Sequence, residues 1–117
     1  MIGVDIVSIN RVEQFVKKFE QKALDRFLSK KEQKIAKKIE TIAGFWAAKE
    51  AVSKALKCGI GERLSFLDIK IKKDKSNAPY FKLSKKAKKI FKIKNSSLSI
   101  SHDNGFAIAV VVIFFKK

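Results

Sequence analysis

Two carboxylates and one histidine are the side chains of this sequence best suited to chemistry. Asp5 stands in the opening GVDI, Glu50 in FWAAKEAVSKAL and His102 in SISHDNGFA. Oxygen ligands with a single imidazole do not suit a soft-metal site, which takes thiolates. They suit a hard divalent cation that meets a phosphate group. The three residues therefore point to chemistry on a phosphorylated substrate.

Each of these residues also has an ordinary structural explanation. Asp5 is explained as a charge on the open face of an edge strand. Glu50 forms an i,i+4 pair with Lys54, which contributes only a few tenths of a kcal/mol, about 0.3, at a surface. A lone histidine such as His102 is more often structural or exposed than catalytic. Taken singly, none of the three identifies a site, so the elements that position them matter.

The N-terminal residues alternate in polarity and predict a short strand over residues 1–7. Asp5 is placed on its non-core face. Asn10 is predicted to cap the following helix, with Glu13 completing a capping box. The core face of the strand is predicted to hold three apolar residues: Ile2, Val4 and Ile6.

The clearest predicted helix runs from Ile42 to Lys57 and is preceded by a helical region over 22–39, with a cap at Ser29 and Glu32. Gly59 follows the clearest helix as a left-handed C-cap. A small-residue stripe permits close packing and makes this helix central: Ala47, Ala51 and Ala55. A second side carries the polar residues and the tryptophan: Trp46, Glu50, Ser53, Lys54 and Lys57.

The remainder predicts mainly sheet. Strands are expected over 65–73 and 80–83, a lysine-rich helix from Ser84 to Phe91, and a strand around Leu98. Asn104-Gly105 predicts a tight hairpin, because both residues readily take positive φ. The last strand, residues 106–115, is apolar on both faces, which indicates a central strand or a subunit interface. The whole pattern indicates one α+β domain over residues 1–117.

Composition excludes some classes of protein and leaves others open. Nearly half of the 117 residues are hydrophobic (46%), so the chain is not disordered. Its single cysteine, Cys58, cannot form an internal disulfide. No secretory signal or membrane-spanning run is apparent, so a cytoplasmic location and no membrane partner are expected. The net charge of +16 is compatible with an acidic partner, a polyanionic substrate or a plain solvated surface.

Three segments together resemble the ordered motifs of one family. GVDIVSINR at the start, FWAAKEAVSKAL followed by GIG, and SISHDNGFAIAVVV near the end resemble the motifs of holo-acyl-carrier-protein synthases. These are small bacterial members of the 4′-phosphopantetheinyl transferase superfamily. The resemblance covers nearly the whole chain. It implies an antiparallel sheet packed around a long central helix, and a homotrimer with active sites between chains.

The resemblance implies an activity as well. Such enzymes transfer the 4′-phosphopantetheine of coenzyme A to a serine of apo-acyl carrier protein and release adenosine 3′,5′-bisphosphate, a step that serves fatty acid biosynthesis. By position, Asp5 and Glu50 would bind Mg²⁺, and Lys54 would face the diphosphate. By the same resemblance, the base would be Glu50 or a water on the metal. The coenzyme contacts implied by position are Gly59, Gly61, His102 and, from a neighbouring subunit, Pro79 in the Asn77-Ala78-Pro79 turn.

Carrier docking is implied for the first helix, where Arg11 and Lys18 lie on the outer face. The sequence departs from the family pattern in three places. Phe45 and Trp46 replace a common arginine region before AAKEA, Lys57 stands where glycine is usual, which would lengthen the helix, and Asn77 replaces a turn glycine. Asn tolerates the left-handed region better than most residues.

Two rival functions remain at this stage. A small basic nucleic-acid-binding protein would suit the charge and size. However, arginines are scarce, aromatics are not interleaved with the lysines, and Asp5 and Glu50 would have no purpose in it. A relative that binds coenzyme A without catalysis is the other rival.

Overall fold

The computed structural model describes residues 1–117. Helices and antiparallel strands follow each other along the chain without regular alternation, which is typical of an α+β fold. In chain order the elements are β1 (Ile2–Ser8), α1 (Ile9–Phe19), α2 (Gln21–Phe27), α3 (Lys30–Ile35), α4 (Ile39–Ala55), a 3₁₀ turn (Phe66–Asp68), β2 (Ile69–Lys73), β3 (Pro79–Leu83), α5 (Lys85–Ile90), β4 (Ile93–Asp103) and β5 (Phe106–Phe115).

Two antiparallel sheets form, and the long helix α4 packs on the larger one. The larger sheet has the strand order β1-β5-β4, and the smaller pairs β2 with β3. β5 is therefore the central strand that its two apolar faces predicted. The predicted α+β fold, with antiparallel strands around a long central helix, is confirmed. No helix is long and apolar enough to cross a membrane.

The prediction for the two faces of β1 was wrong. Gly3 is buried, while Asp5 and Val7 are half-buried on the same face. The isoleucine face is exposed: Ile2, Val4 and Ile6. The reason is the small size of Gly3, because a Cβ there would collide with the backbone of Ala51 and Ala55 in α4. Close helix–sheet packing therefore buries the face that carries Gly3. Asp5 lies on the same face and is turned toward α4 as well.

Two helix ends also differ from the prediction. Ser8, rather than Asn10, caps α1, and its hydroxyl accepts a hydrogen bond from the Arg11 backbone N–H at 3.3 Å. Helix α4 is not lengthened by Lys57. It ends at Ala55, and Lys57 itself takes the left-handed conformation with φ 60°. The lysine therefore occupies the backbone conformation that favours glycine.

Locally determined features are confirmed. Ser29 and Glu32 form the predicted capping box at α3. Asn77 has φ 64°, and Asn104 and Gly105 have φ 51° and 85° in the β4–β5 turn. The strand predicted from residue 65 begins only at Ile69, because the preceding residues form the 3₁₀ turn.

Candidate active site

Strand β1 and helix α4 bring Asp5 and Glu50 together. Asp5 lies opposite Ala109 of β5, and Ala109 is fully buried on the face that packs against α4. Residues opposite each other in antiparallel strands share a face, so Asp5 also faces the helix. Asp5 and Glu50 line the same cavity, and the pKa of the Glu50 carboxyl group is raised first by burial and then by the negative charge of Asp5. Two residues far apart in sequence thus form one carboxylate pair.

An open cavity of about 290 Å³ lies beside the carboxylate pair. Its lining divides into a charged end and an apolar end. Asp5, Glu50 and the exposed Arg11 of α1 supply the charges. The apolar wall comes from β1, α1 and α4: Ile6, Val7, Val12, Phe15 and Trp46. A charged group bound at the carboxylates would therefore have an apolar surface next to it.

Lys54 contacts Asp5 rather than Glu50. Its ammonium donates to Asp5 Oδ1 at 2.9 Å and to the Val4 carbonyl at 3.3 Å. This hydrogen bond, with the nearby negative charges, raises the pKa of Lys54. The i,i+4 ion pair with Glu50 that the sequence allowed is not formed. The Lys54 side chain is 54% exposed, and it reaches the site through Asp5 without lining the cavity itself.

Glu50 has no counter-ion of its own. Burial raises its pKa, the charge of Asp5 raises it further, and Lys54 only partly opposes these effects. No ion pair forms at its carboxylate, and the hydroxyl of Ser53 donates to its backbone carbonyl instead. Two carboxylates with a single exposed ammonium, which is paired with Asp5 alone, can accommodate a further cation.

The donor set suits magnesium more than a transition metal. The chain has no cluster of three or more histidine, cysteine or acidic side chains. Mg²⁺ is usually held by one or two carboxylates together with waters and substrate phosphates. Asp5 and Glu50 beside an open cavity fit that requirement.

The apolar end of the cavity is backed by an aromatic cluster centred on Trp46. Its ring lies 4.9 Å from the ring of Phe27, 4.9 Å from that of Phe66 and 6.0 Å from that of Phe15. The neighbouring Phe45 is buried in the core. Of the two residues that stand before AAKEA, Phe45 is therefore a core residue and Trp46 is part of the cavity wall.

Several predicted site residues do not line this cavity. His102 is exposed on β4 opposite Ala107, one strand further from β1 than β5. Gly59, with φ 65°, and the exposed Gly61 follow α4, and Pro79 begins β3. Lys18 is exposed on α1 beyond the cavity. Within one chain, only Asp5, Glu50, Lys54 and Arg11 come together.

Sequence reasoning missed Lys49 and its pairing with Glu32, which was predicted only as part of a helix cap. Both are buried and their side chains form an ion pair at 2.8 Å. A signal for Lys49 was present, because it falls on the apolar stripe of α4 defined by Phe45, Val52 and Leu56. A lysine in that position has to find a buried partner.

Known proteins resemble this chain over nearly its whole length. The family model for the 4′-phosphopantetheinyl transferase superfamily matches residues 1–111. A holo-[acyl-carrier-protein] synthase of Helicobacter pylori strain G27 is 60% identical over 114 residues, covering 97% of this chain and 96% of the relative. One from Nitratiruptor sp. is 57% identical over 113 residues, covering 97% of each.

Solved structures agree with the sequence relatives. The crystal structure of Helicobacter pylori holo-[acyl-carrier-protein] synthase in complex with coenzyme A superimposes with a TM-score of 0.94 at 58% identity, covering 97% of this chain and 100% of that one. The enzyme from Bacillus anthracis, in complex with coenzyme A (3′,5′-ADP), gives 0.80 at 40% identity, covering 96% and 93%. The chain therefore belongs to the holo-[acyl-carrier-protein] synthase family of the 4′-phosphopantetheinyl transferase superfamily.

Proposed function

We propose that this protein transfers the 4′-phosphopantetheine group of coenzyme A to a serine of apo-acyl carrier protein. Family membership supports the reaction, and the pairing of Asp5 with Glu50 at an open cavity is the observation that carries it to named residues. The products are holo-acyl carrier protein and adenosine 3′,5′-bisphosphate. The reaction belongs to fatty acid biosynthesis and takes place in the cytoplasm.

Asp5 and Glu50 would hold Mg²⁺ against the diphosphate of coenzyme A. The metal would neutralise charge on the phosphate oxygens when bound. Lys54 turns its ammonium from Asp5 to the same oxygens and acts as a point charge. The serine Oγ forms a bond with the phosphorus that carries pantetheine, and the bond from that phosphorus to the bridging anhydride oxygen breaks. Glu50 accepts the serine proton directly or through one water.

Burial and then the charge of Asp5 raise the pKa of Glu50, so a cation bound at this pair would relieve the cost of ionising both carboxylates. Arg11 lines the same cavity and would meet an acidic carrier protein as it presents its serine. Lys18 extends this positive surface along α1.

The remaining predicted contacts require a neighbouring subunit, and we propose a homotrimer. His102 and the backbone at Gly59 and Gly61 would bind the nucleotide part of coenzyme A from one chain, and Pro79 from the next. The exposed outer face of the larger sheet supports association, because it is apolar on β1 and β5: Ile2, Val4, Ile6, Phe106, Ile108, Val110 and Phe114. An apolar face that is exposed in the single chain supports association with another subunit.

Incubation with coenzyme A, Mg²⁺ and an apo-acyl carrier protein tests the activity. Intact mass should show one phosphopantetheine added to the carrier, and chelation of Mg²⁺ should stop the addition. A carrier that gains no mass with several acidic carrier proteins would overturn the proposal. A gain in mass excludes the relative that only binds coenzyme A.

Carrier docking is tested by charge reversal on α1. Arg11→Glu and Lys18→Glu should raise the KM for carrier protein, and turnover should weaken steeply with added salt, because complementary charge governs the encounter rate. Lys89→Glu on α5 is a matched control that alters the net charge equally. Turnover that ignores ionic strength would contradict docking on this surface.

The trimer is tested by light scattering after size-exclusion chromatography. Val110→Lys places a charge on the apolar sheet face and should lower the oligomeric state. Leu67→Lys, at an exposed apolar residue on the 3₁₀ turn, is the control and should leave it unchanged. A monomeric wild-type protein would contradict the proposal.

A further inference from the structure

The ion pair between Lys49 and Glu32 lies outside the cavity, yet it is adjacent in sequence to Glu50. We propose that this buried pair is a positioning device: it fixes the rotation of α4 so that Glu50 faces Asp5. The inference rests on the proposed role of Asp5 and Glu50 as the metal-binding carboxylates. It adds two residues that act through others, not residues that touch the substrate.

The ammonium of Lys49 is fully engaged inside the protein. It donates to the Phe27 carbonyl at 2.6 Å, to Glu32 Oε1 at 2.8 Å and to the Phe66 carbonyl at 3.0 Å. An ammonium has three donors, so none remains free. The side chain has no exposed surface. Lys49 therefore has one defined position relative to three separate segments of the chain.

Glu32 is held equally firmly on the other side of the pair. Its Oε1 also accepts from the Ser29 backbone N–H at 2.8 Å, as part of the capping box of α3. Its Oε2 accepts from the Ile71 backbone N–H in β2 at 2.8 Å. Through this carboxylate, α4 is connected to α3 and to the smaller sheet.

Stability alone does not explain a buried ion pair. Replacing such a pair by apolar residues of similar volume is often neutral or stabilising, because desolvation offsets the attraction. Burial lowers the pKa of Lys49 while the charge of Glu32 opposes that change, which reflects the same balance. The hydrogen bonds of Lys49 add a fixed direction to this contact that apolar residues of similar volume would lack.

The direction of Lys49 determines where Glu50 faces. Successive residues on an α-helix are separated by about 100°. With Lys49 fixed toward Glu32, Glu50 is turned toward β1. The carbonyls that hold Lys49 belong to Phe27 and Phe66, whose rings pack on Trp46 in the cavity wall. The same device therefore sets the apolar wall and the carboxylate.

A double substitution tests the inference without leaving a buried unpaired charge. Glu32→Gln/Lys49→Met removes both charges and keeps the side-chain lengths. Mg²⁺ binding by calorimetry is expected to weaken about tenfold or more, the scale seen when groups supporting metal ligands are lost. Emission of Trp46, the only tryptophan, should shift to the red as its packing loosens. At saturating Mg²⁺, kcat should recover most of its wild-type value.

Glu32→Gln alone is the second variant: its amide oxygen retains an acceptor for Lys49, while the buried ammonium loses its counter-ion, so unfolding is measured beside Mg²⁺ binding. It should weaken Mg²⁺ binding less than the double substitution does. The matched control is the exposed ion pair between Lys30 and Asp25, at 3.1 Å, on the neighbouring helices. Asp25→Asn/Lys30→Met should leave Mg²⁺ binding and Trp46 emission unchanged.

The outcomes separate the two proposals. A wild-type protein that neither binds Mg²⁺ nor modifies a carrier contradicts the proposed function. A wild-type protein that does both, with wild-type Mg²⁺ affinity in both Glu32 variants, overturns the positioning inference alone. A lower kcat at unchanged Mg²⁺ affinity also overturns it, since that pattern indicates general loss of structure.

Discussion

Lys49 and Glu50 are neighbours on one helix, yet their surroundings are opposite. Lys49 has all its hydrogen bonds satisfied inside the protein and carries a counter-ion. Glu50 has no counter-ion and faces a second carboxylate. The charge on one side of α4 is therefore neutralised within the fold. The charge on the other side has no partner in the protein and can attract a bound cation.

The largest predicted effect is at the incomplete side. Glu50→Gln keeps the shape of the side chain and removes its charge, so Mg²⁺-dependent transfer should fall by about a hundredfold or more. The fold should be intact by circular dichroism. Unchanged transfer would remove Glu50 from the mechanism.

The same variant also has an expected effect on stability. Because the folded state raises the pKa of Glu50, ionisation of this group disfavours folding at neutral pH. Without Mg²⁺, Glu50→Gln should therefore be more stable than wild type at pH 7. The difference should disappear as the pH falls and the wild-type carboxyl group binds a proton. Urea unfolding at several pH values measures it.

The second-largest effect is expected where β1 packs against α4, because this contact brings Asp5 and Glu50 together. Gly3→Ala would push a Cβ into the backbone of Ala51, so β1 has to move away from α4. The unfolding free energy should fall by about 3 kcal/mol, and transfer should fall because Asp5 moves with the strand. Gly61→Ala is the stability control, because a Cβ there meets nothing within 4 Å.

A carboxylate with its partners satisfied should respond in the opposite way to Glu50. Burial opposes ionisation of Asp68, but hydrogen bonds from Ser65, Ser84 and Lys86 outweigh it and lower its pKa from 3.8 to about 2. Asp68→Asn should lower the unfolding free energy at pH 7 by about 2 kcal/mol.

This contribution of Asp68 depends on pH in a defined direction. Since its pKa is lowered on folding, the stability it provides is present above pH about 4 and is lost as the pH falls toward about 2. Wild type and Asp68→Asn should converge over that range. Asp103→Asn, at an exposed aspartate in the β4–β5 hairpin, is the control and should change stability by less than about 0.5 kcal/mol.

The smallest predicted effect is at the end of α4. Lys57 holds φ 60°, a conformation that disfavours side chains with a Cβ. Lys57→Gly should therefore raise the unfolding free energy by about 1 kcal/mol. Gly59→Ala, at φ 65°, should lower it by a similar amount. If both substitutions shift stability in the same direction, backbone strain is not the cause.

The sequence predicted best what neighbouring residues determine. The capping box of Ser29 and Glu32 and the turn at Asn104-Gly105 depend on residues a few positions apart, and both formed as expected. The capping box predicted at Asn10 does not form. Ser8, two residues earlier at the end of β1, accepts the capping hydrogen bond instead.

Features that depend on distant packing were harder to predict. Alternation in β1 correctly predicts a strand, but it wrongly predicts that the apolar face is the buried one. The buried face is determined by the close contact of Gly3 with α4, and this contact cannot be predicted from the residues of β1 alone. The burial of Lys49 depended likewise on carbonyls of Phe27 and Phe66 in two other segments. The family resemblance predicts the pairing of Asp5 with Glu50. The geometry of the pair depends on how β1 packs against α4, which the sequence alone does not show.

The pairing of β1 with β5 has a consequence for the order in which the molecule can assemble. Ile2 pairs with Val112 and Asp5 with Ala109, so the first strand has its only sheet partner near the opposite end of the sequence. Such distant contacts close a long loop and form slowly. During synthesis, Glu50 can already sit on a formed helix while Asp5 still lies on a strand without a sheet. Competence for chemistry should therefore arise late and all at once, when the residues of β5 leave the ribosome.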